Sequence, residues 1–553
     1  LTASPESASI RGRLDAAHPN SLQPFLQEYL HMSSSHESSG VSPNAQRLLW
    51  AGFTAILAAG VGFSVRAGIL GQWAEQFGFT MTELGAITGG GLTGFGIVII
   101  ITSLFADSIG YGKLMAGAFL LHFISAVITL AAPAAFEAGG KPAAFQCLFW
   151  GMFIFAIGNG VCEAVVNPLT ATLFPRNKTH YLNILHAGWP AGLVIGGLAS
   201  AFMSATVDEA GKVISPAVDW KIQMSLFLVP VILYGVMLLG QKFPRSEAAS
   251  AGVTTGQMIG SVLTPLFIVL LIIHAMVGYV ELGTDSWIAK ITGSIMASPQ
   301  KGLMLFVYTS MLMFALRFVA GPIVHRVSPL GLLLISAILG AVGLTMLGSA
   351  SGAIACVVAA TVYACGKTFL WPTMLAVTSE QFPKGGAVAI GLIGGMGMLS
   401  AGLLGGPAIG YKQDYFATKS LEANSPETYS RYSVEEPKGF LFLPEVKGLD
   451  GAKVGVLSDG GKELQKNIEV LSKEGKSDSN TESLSTWWES AKTTSSVDEG
   501  PVTAATLEGG RMALKYTAAV PAAMAILYLA LILYFKTKGG YRPVLLDDEQ
   551  PAE

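Results

Sequence analysis

The fold class the sequence predicts is an all-α polytopic membrane protein. It would have twelve transmembrane helices in two pseudo-symmetric six-helix bundles, with a polar external insert between helices 11 and 12. Three observations carry that prediction. First, of 553 residues, 51% are hydrophobic and only 13% charged, with mean hydropathy +0.53, whereas a soluble domain carries about 25% charged residues. Second, the 65 glycines exceed the ordinary share of about 7% without a collagen-like period, and glycine lets membrane helices approach closely. Third, twelve windows of about 20 mostly apolar residues fit the hydrocarbon thickness. This composition excludes a soluble enzyme, a disulfide scaffold and a nucleic-acid binder. The four cysteines, Cys147, Cys162, Cys356 and Cys365, lie in apolar runs without metal-ligand spacing and read as packing residues.

Taken in order, the helices begin near Leu48, Leu84, Leu114, Phe145, Leu182, Ile222, Leu263, Gly302, Leu330, Ala353, Ala387 and Leu514. Extended segments would leave backbone groups unpaired in lipid, and no alternating pattern suggests a barrel. Ahead of them, residues 1–44 are rich in Ser, His, Pro and Ala and lack a signal-peptide apolar core. A disordered cytoplasmic tail is expected there, with Met32 as a second candidate start. The first bundle occupies 45–241, a cytoplasmic linker 242–262, helices 7–11 residues 263–411, helix 12 residues 511–536, and a cytoplasmic tail 537–553.

The insert, 412–510, carries 17 acidic against 11 basic residues. Within it, 463–473 suits a short amphipathic helix and the apolar run 439–444 a strand. A small external subdomain, an ordered lid and a long disordered loop all fit this composition. Orientation follows from Lys and Arg in short loops. Lys113, Arg176, Lys178, Lys242, Arg245, Arg326, Lys384, Lys536, Lys538 and Arg542 fall on one side. Lys141, Lys212, Lys221, Lys290 and Lys301 fall on the other. The richer side is expected to be cytoplasmic, which places both termini inside the plasma membrane.

An internal repeat links the two bundles. Val61-Gly62-Phe63, Arg66 and Trp73 on helix 1 are echoed by Val277-Gly278-Tyr279, Glu281 and Trp287 on helix 7. Glu163 stands five residues before Pro168 on helix 4, as Lys367 stands five before Pro372 on helix 10, and each is followed by a Phe-Pro pair. Helices 5 and 11 are both glycine-rich. Parallel repeats of this kind are a transporter architecture.

After helix 2 the chain reads Ser103-Leu104-Phe105-Ala106-Asp107-Ser108-Ile109-Gly110-Tyr111-Gly112-Lys113. With the repeat, this stretch resembles the major facilitator superfamily, whose loop pattern is Gly-x-Leu-Ala-Asp-Arg-x-Gly-Arg. Asp107, Gly110 and Lys113 match, and Ser108 stands in place of Arg. Arg317, Gly321 and Arg326 form a weaker counterpart in the second half. Within the family the chain is most similar to fucose-permease-like sugar symporters, through Glu163, Asn167 and Pro168 (Glu-x-x-x-Asn-Pro), Leu182-Asn183, and Gly278-Tyr279-Val280-Glu281. Those symporters place an acid near the end of helix 1, where this chain has Arg66. The resemblance implies a secondary active transporter working by alternating access. Proton-coupled import of a sugar or similar polar solute is the first expectation, and an organic anion or a non-transporting solute sensor is the alternative. A small solute, protons and the lipid bilayer are the implied partners, with no nucleic acid, no cofactor, no enzymatic motif and a monomeric state. Asp107, Gly110 and Lys113 would act in gating, with Asp107 capping a helix start.

Charges buried in a membrane are costly, at least ~2.5 kcal/mol each at mid-bilayer, and usually face a functional interior. Four stand out: Arg66, Glu163, Glu281 and Lys367, on helices 1, 4, 7 and 10. Matching their depths pairs Arg66 with Glu281 as an outer tie, and Glu163 with Lys367 in the substrate site. Static structural pairs are the alternative, as is an Arg66 that snorkels to the interface. Asn159, Asn167, Trp371, Tyr363 and His274 share these helices. They suit a hydroxylated ligand through paired hydrogen bonds and ring stacking, or else serve helix packing. His186 and Trp189, beside Pro190, read as packing residues.

Overall fold

The computed structural model describes residues 43–544 and 546, apart from Thr80, Gly90, Ala205, 208–212, Lys438, Glu474 and Lys476. Except for Pro43 and Asn44, the expected tail over 1–44 lies outside the described residues. From Arg47 onward the described residues form one compact unit.

Twelve apolar spans run through the described residues, one of them bent. The first half contains α1 (Ala45–Phe77), α2 (Glu83–Ile109), α3 (Tyr111–Leu130), α4 (Ala132–Leu173), α5 (Lys178–Met203) and α6 (Trp220–Leu238). The second half contains α7 (Pro265–Ile295), α8 (Pro299–Arg317, continued at 64° by Ala320–Val327), α9 (Pro329–Ser349), α10 (Ala353–Gln381), α11 (Pro383–Asn424) and α12 (Ser495–Thr537). Ile97, Ile101 and Phe105 on α2 and Ile526, Leu529 and Leu533 on α12 are exposed. Such stripes would be a liability in water and are the normal contact with lipid. Helices Glu247–Ser250 and Thr255–Val262 link the halves. In the second, Thr254 and Gln257 bond each other's backbone N–H in a capping box.

Several spans are longer than a bilayer requires, for local reasons. Gly140, at φ +67°, breaks the helical backbone near the start of α4, a conformation glycine adopts without Cβ strain. In α7 and α11, residues Tyr279–Gly283 and Ala401–Gly405 form π-helical turns. These turns face each other, and a Cβ on Gly283 would lie 2.7 Å from Gly405 Cα. Just inward, a Cβ on Gly278 would lie 1.9 Å from Gly397 O, so α7 and α11 touch backbone to backbone.

Residues 412–510 form an extension of the second half. α11 continues to Asn424 and α12 starts at Ser495, so both run past the boundaries read from hydropathy. Gly509 holds them together, since a Cβ there would meet Gln413 O at 2.4 Å. Between them lie helices Pro426–Tyr432, Gly451–Asp459, Lys462–Lys473 and Ser479–Ala491. Leu421, Tyr432, Leu457, Val502 and Ala505 form their core, flanked by Trp487 and Trp488. The amphipathic helix expected over 463–473 is present. The strand expected over 439–444 is absent: that run forms a turn, with Leu441 at φ 54°. Pro437 and Pro444 bracket it, and the nearest ladder is a single bridge between Ser433 and Leu449. Elsewhere a two-stranded hairpin, Thr206–Val207 with Val213–Ser215, sits between α5 and α6.

Candidate functional site

A chamber of about 20 Å³ lies where the two halves meet, lined by Glu163, His186, Trp189, Glu281, Arg317 and Trp371 among others. It holds about one water's volume, so the surrounding helices must part to admit a larger solute. A much larger cavity, about 1110 Å³, lies under the insert beside Glu83, Lys141 and Phe145. It is the small chamber that gathers fully buried charges from both halves, and this makes it the candidate site.

Two prolines explain how Arg317 is held. In a continuous helix the N–H at position i+4 serves the carbonyl at i, and proline has none. Pro190 therefore leaves the carbonyl of His186 on α5 without a helical donor, and Pro372 does the same to Thr368 on α10. Arg317 serves both: Nη1 donates to His186 O at 2.5 Å and Nε to Thr368 O at 2.9 Å. Its Nη2 donates to Glu281 Oε1 at 3.0 Å. Arg317 is the last residue of the straight part of α8, just before its 64° bend, and is buried at 1% exposure. One buried cation thus bridges both halves.

On the first-half wall, Asn167 Nδ2 donates to Glu163 Oε2 at 2.7 Å, one helical turn away on α4. His186 Nε2 donates to Asn167 Oδ1 at 2.8 Å and lies 4.0 Å from Glu163 Oε2. The π-helical turn of α7 carries Glu281, whose Oε2 is buried with no hydrogen-bond partner among the described residues. Behind the chamber His274 meets Trp371 edge to face at 4.6 Å, with neither ring nitrogen partnered among the described residues.

Both charge pairings expected from depth are wrong. Glu281 pairs with Arg317, not Arg66, and Lys367 pairs with Asp285 at 2.5 Å, not with Glu163. Each of these pairs lies within the second half, because neighbouring helices of one bundle stay in contact while the halves meet only at a seam. Lys367 Nζ also sits 5.3 Å from the Tyr363 ring, and Tyr363 donates to Val280 O at 2.7 Å. Arg66 does not snorkel. It is 1% exposed, its guanidinium lying 4.0 Å and 4.7 Å from the ring centroids of Phe155 and Phe227 and donating to Gly62 O and Ser125 Oγ. Asn159 turns the same way, its Oδ1 accepting from His122 Nε2 at 2.9 Å, beside the His122–Tyr234 hydrogen bond of 2.8 Å.

The structure therefore brings Glu163, Glu281 and Trp371 to the chamber, with Asn167 and His274 one contact away. It places Lys367, Tyr363, Asn159 and Arg66 in separate polar clusters. Three chamber residues read otherwise from sequence: Arg317 as part of a loop motif, and His186 and Trp189 as packing. Prolines four residues beyond His186 and Thr368 were the available signal.

On the face opposite the insert, Lys178 pairs with Glu247 at 2.9 Å, Thr179 donates to Glu380 at 3.3 Å, and Asn183 donates to Thr373 at 3.3 Å. Tyr541 donates to Glu380 at 2.6 Å. Asp107 lies beside Tyr111 and Ser246 of the linker. It does not cap α3, whose start at Gly110 (φ +93°) has no side-chain cap. Lys113 is exposed there.

No curated protein matches the chain. The chain is similar in fold to FucP, the E. coli fucose:proton symporter, in its outward conformation. That likeness has a TM-score of 0.55 at 16% identity, over 66% of this chain and 92% of FucP. It is also similar to the proton:xylose symporter XylE (0.54, 14%, 69% and 91%). A bacterial homologue of the human lysosomal transporter Spinster, inward-facing and unoccupied, matches with TM-score 0.56 at 14% identity, over 91% of this chain and all of that one. At such identities the likeness concerns the fold alone. A model of the Major Facilitator Superfamily matches residues 52–406. With well over half of the chain so matched and two six-helix halves meeting at a buried polar chamber, the chain belongs to the major facilitator superfamily.

Proposed function

We propose that this chain is a secondary active transporter that moves a sugar or similar polar solute together with protons. The observation that carries this reading is the chamber, where carboxylates from both halves, Glu163 and Glu281, flank one bridging cation. A carboxylate that gains a proton in a dry site loses its attraction for Arg317, so protonation changes how firmly the cation that also bonds His186 O across the halves is held. Trp189 and Trp371 offer ring faces, and Asn167 and His186 offer hydrogen bonds, to a hydroxylated ligand. FucP and XylE, named as proton symporters of fucose and xylose, support the same reading by fold. The charge bias of the loops supports cytoplasmic termini, and a chamber built by the two halves of one chain supports a monomer acting alone.

The alternative solute is an organic anion. Arg66, flanked by the rings of Phe155 and Phe227, has no carboxylate partner among the described residues, and although it lies outside the closed chamber it is a buried positive charge that an anion could meet once the helices part. Proton flux in proteoliposomes, read with an internal pH dye, separates the two readings. Acidification on adding pooled sugars, lost in Glu163→Gln, is the expected result. Acidification with pooled organic acids alone would select the anion. Binding and exchange without proton movement would replace symport by uniport, and no binding from any pool would favour a sensor.

A further inference from the structure

The insert carries a surface that neither its core nor the chamber explains. In the turn 439–444, Gly-Phe-Leu-Phe-Leu-Pro, Leu441 is 71% exposed and Phe442 90%. Two large apolar side chains held outward in a folded turn would be anomalous if water surrounded them.

The position of the turn accounts for them. Leu403 and Leu404 are exposed on the apolar part of α11, where a spanning helix meets lipid. Seven residues beyond Leu404, two helical turns along, Tyr411 continues that stripe, and Tyr415 follows one turn later. The turn docks on these tyrosines. Tyr411 donates to Pro444 O at 2.6 Å, and its ring lies 6.4 Å from Phe440 and 6.0 Å from Tyr415.

Depth follows from the neighbours. α9, 21 residues long, spans about 31 Å at 1.5 Å per residue and so just crosses the hydrocarbon. At its insert-side end, Arg511 donates to Ala350 O at 2.9 Å, and Lys515 packs where a Cβ on Gly348 would lie. Arg511 and Lys515 therefore mark the membrane edge. Tyr516 stacks on Phe416 at 4.7 Å, which puts Phe416 at that edge as well. Tyr411 is five residues nearer the bilayer on α11, about 7.5 Å deeper. The turn that rests on it reaches into the membrane boundary. Tyrosines at this level are the usual interfacial anchors.

We propose that Leu441 and Phe442 insert into the headgroup–acyl boundary of the leaflet on the insert face, mooring the insert to lipid beside α11. The partner is phospholipid, bound through apolar side chains, as an interfacial helix binds through its apolar face. The insert then has two supports: α11 and α12 at its base, and the lipid surface at this turn.

The test uses the full chain, one copy per nanodisc of zwitterionic phospholipid. An environment-sensitive NBD label is placed at Phe442→Cys or, as an exposed control, Lys466→Cys, with the signal of the unsubstituted protein subtracted. Blue-shifted emission at 442, quenched several-fold more by lipids doxylated near the headgroup than at 466, is expected. Water-like emission at 442 would overturn the proposal. So would blue-shifted emission that doxyl lipids leave unquenched, because it would mean a protein contact. A second variant guards against damage by the label. Leu441→Ser with Phe442→Ser should keep the melting temperature in detergent, where no bilayer edge exists, yet speed hydrogen exchange over 433–449 several-fold in nanodiscs. Unchanged exchange in nanodiscs would also overturn it.

Discussion

Arg317 shows how a single residue ties the halves together. Removing one partner of a buried ion pair costs about 3–5 kcal/mol, because the other charge is stranded, while removing both costs less than the sum. We therefore expect Arg317→Gln and Glu281→Gln each to be strongly destabilising, and the double variant to recover part of the loss. SDS-unfolding free energies would show a coupling of about 1–3 kcal/mol. The same cycle on Arg66 and Glu281 should be additive within about 0.5 kcal/mol, and a large coupling there would restore the discarded pairing. Glu163, Glu281 and Trp371 were legible in the sequence because a charge or a Trp inside an apolar window is conspicuous. Arg317 was not, because it stands at a helix end, where a cation looks like a loop residue until the contacts with α5, α7 and α10 show it buried.

At the scale of elements, the glycines divide by what faces them. On α7, a Cβ at Gly278 would collide with the carbonyl of Gly397, and backbone cannot yield as a side chain can. Gly278→Ala should cost about 1–3 kcal/mol or more. Gly94 on α2 has nothing within 4 Å, so Gly94→Ala should be neutral or stabilising by up to ~1 kcal/mol. Equal losses in the two variants on thermal melting would refute the crossing. Glycine-rich composition predicted such crossings in general, but not which glycines make them.

In the insert, Asp478 caps helix Ser479–Ala491 by accepting from the N–H and hydroxyl of Thr481. Those bonds hold its carboxyl below the usual range. A depressed folded pKa contributes stability above the unfolded value, about 3.9, and loses it as pH falls through the folded one. Asp478→Ala should thus speed hydrogen exchange of this helix at pH 6. The gap from the parent protein should narrow below about pH 4, and a gap that does not vary with pH would rule the carboxylate out. The amphipathic helix 463–473 was readable from its 3.6-residue spacing. The turn 439–444 was misread as a strand because an apolar run says nothing about whether a neighbour exists to pair with it.

For the whole molecule, the face opposite the insert is held closed by Lys178–Glu247, Thr179–Glu380 and Asn183–Thr373. Asn183, at 0% exposure, reports on that closure. In Asn183→Cys, alkylation by a water-soluble maleimide should be slow, and adding Glu247→Gln and Glu380→Gln should speed it several-fold. An unchanged rate would mean that these ties do not govern opening. The sequence by itself determined the membrane class, the twelve spans and the repeat, because length, hydropathy and periodicity are local properties that lipid imposes on every helix alike. Only the tertiary structure decided which charges meet, which glycines touch and how the insert folds. Those depend on helix rotation, bends and π-helical turns, which change a side chain's neighbours without changing the apolar pattern that marks the helix.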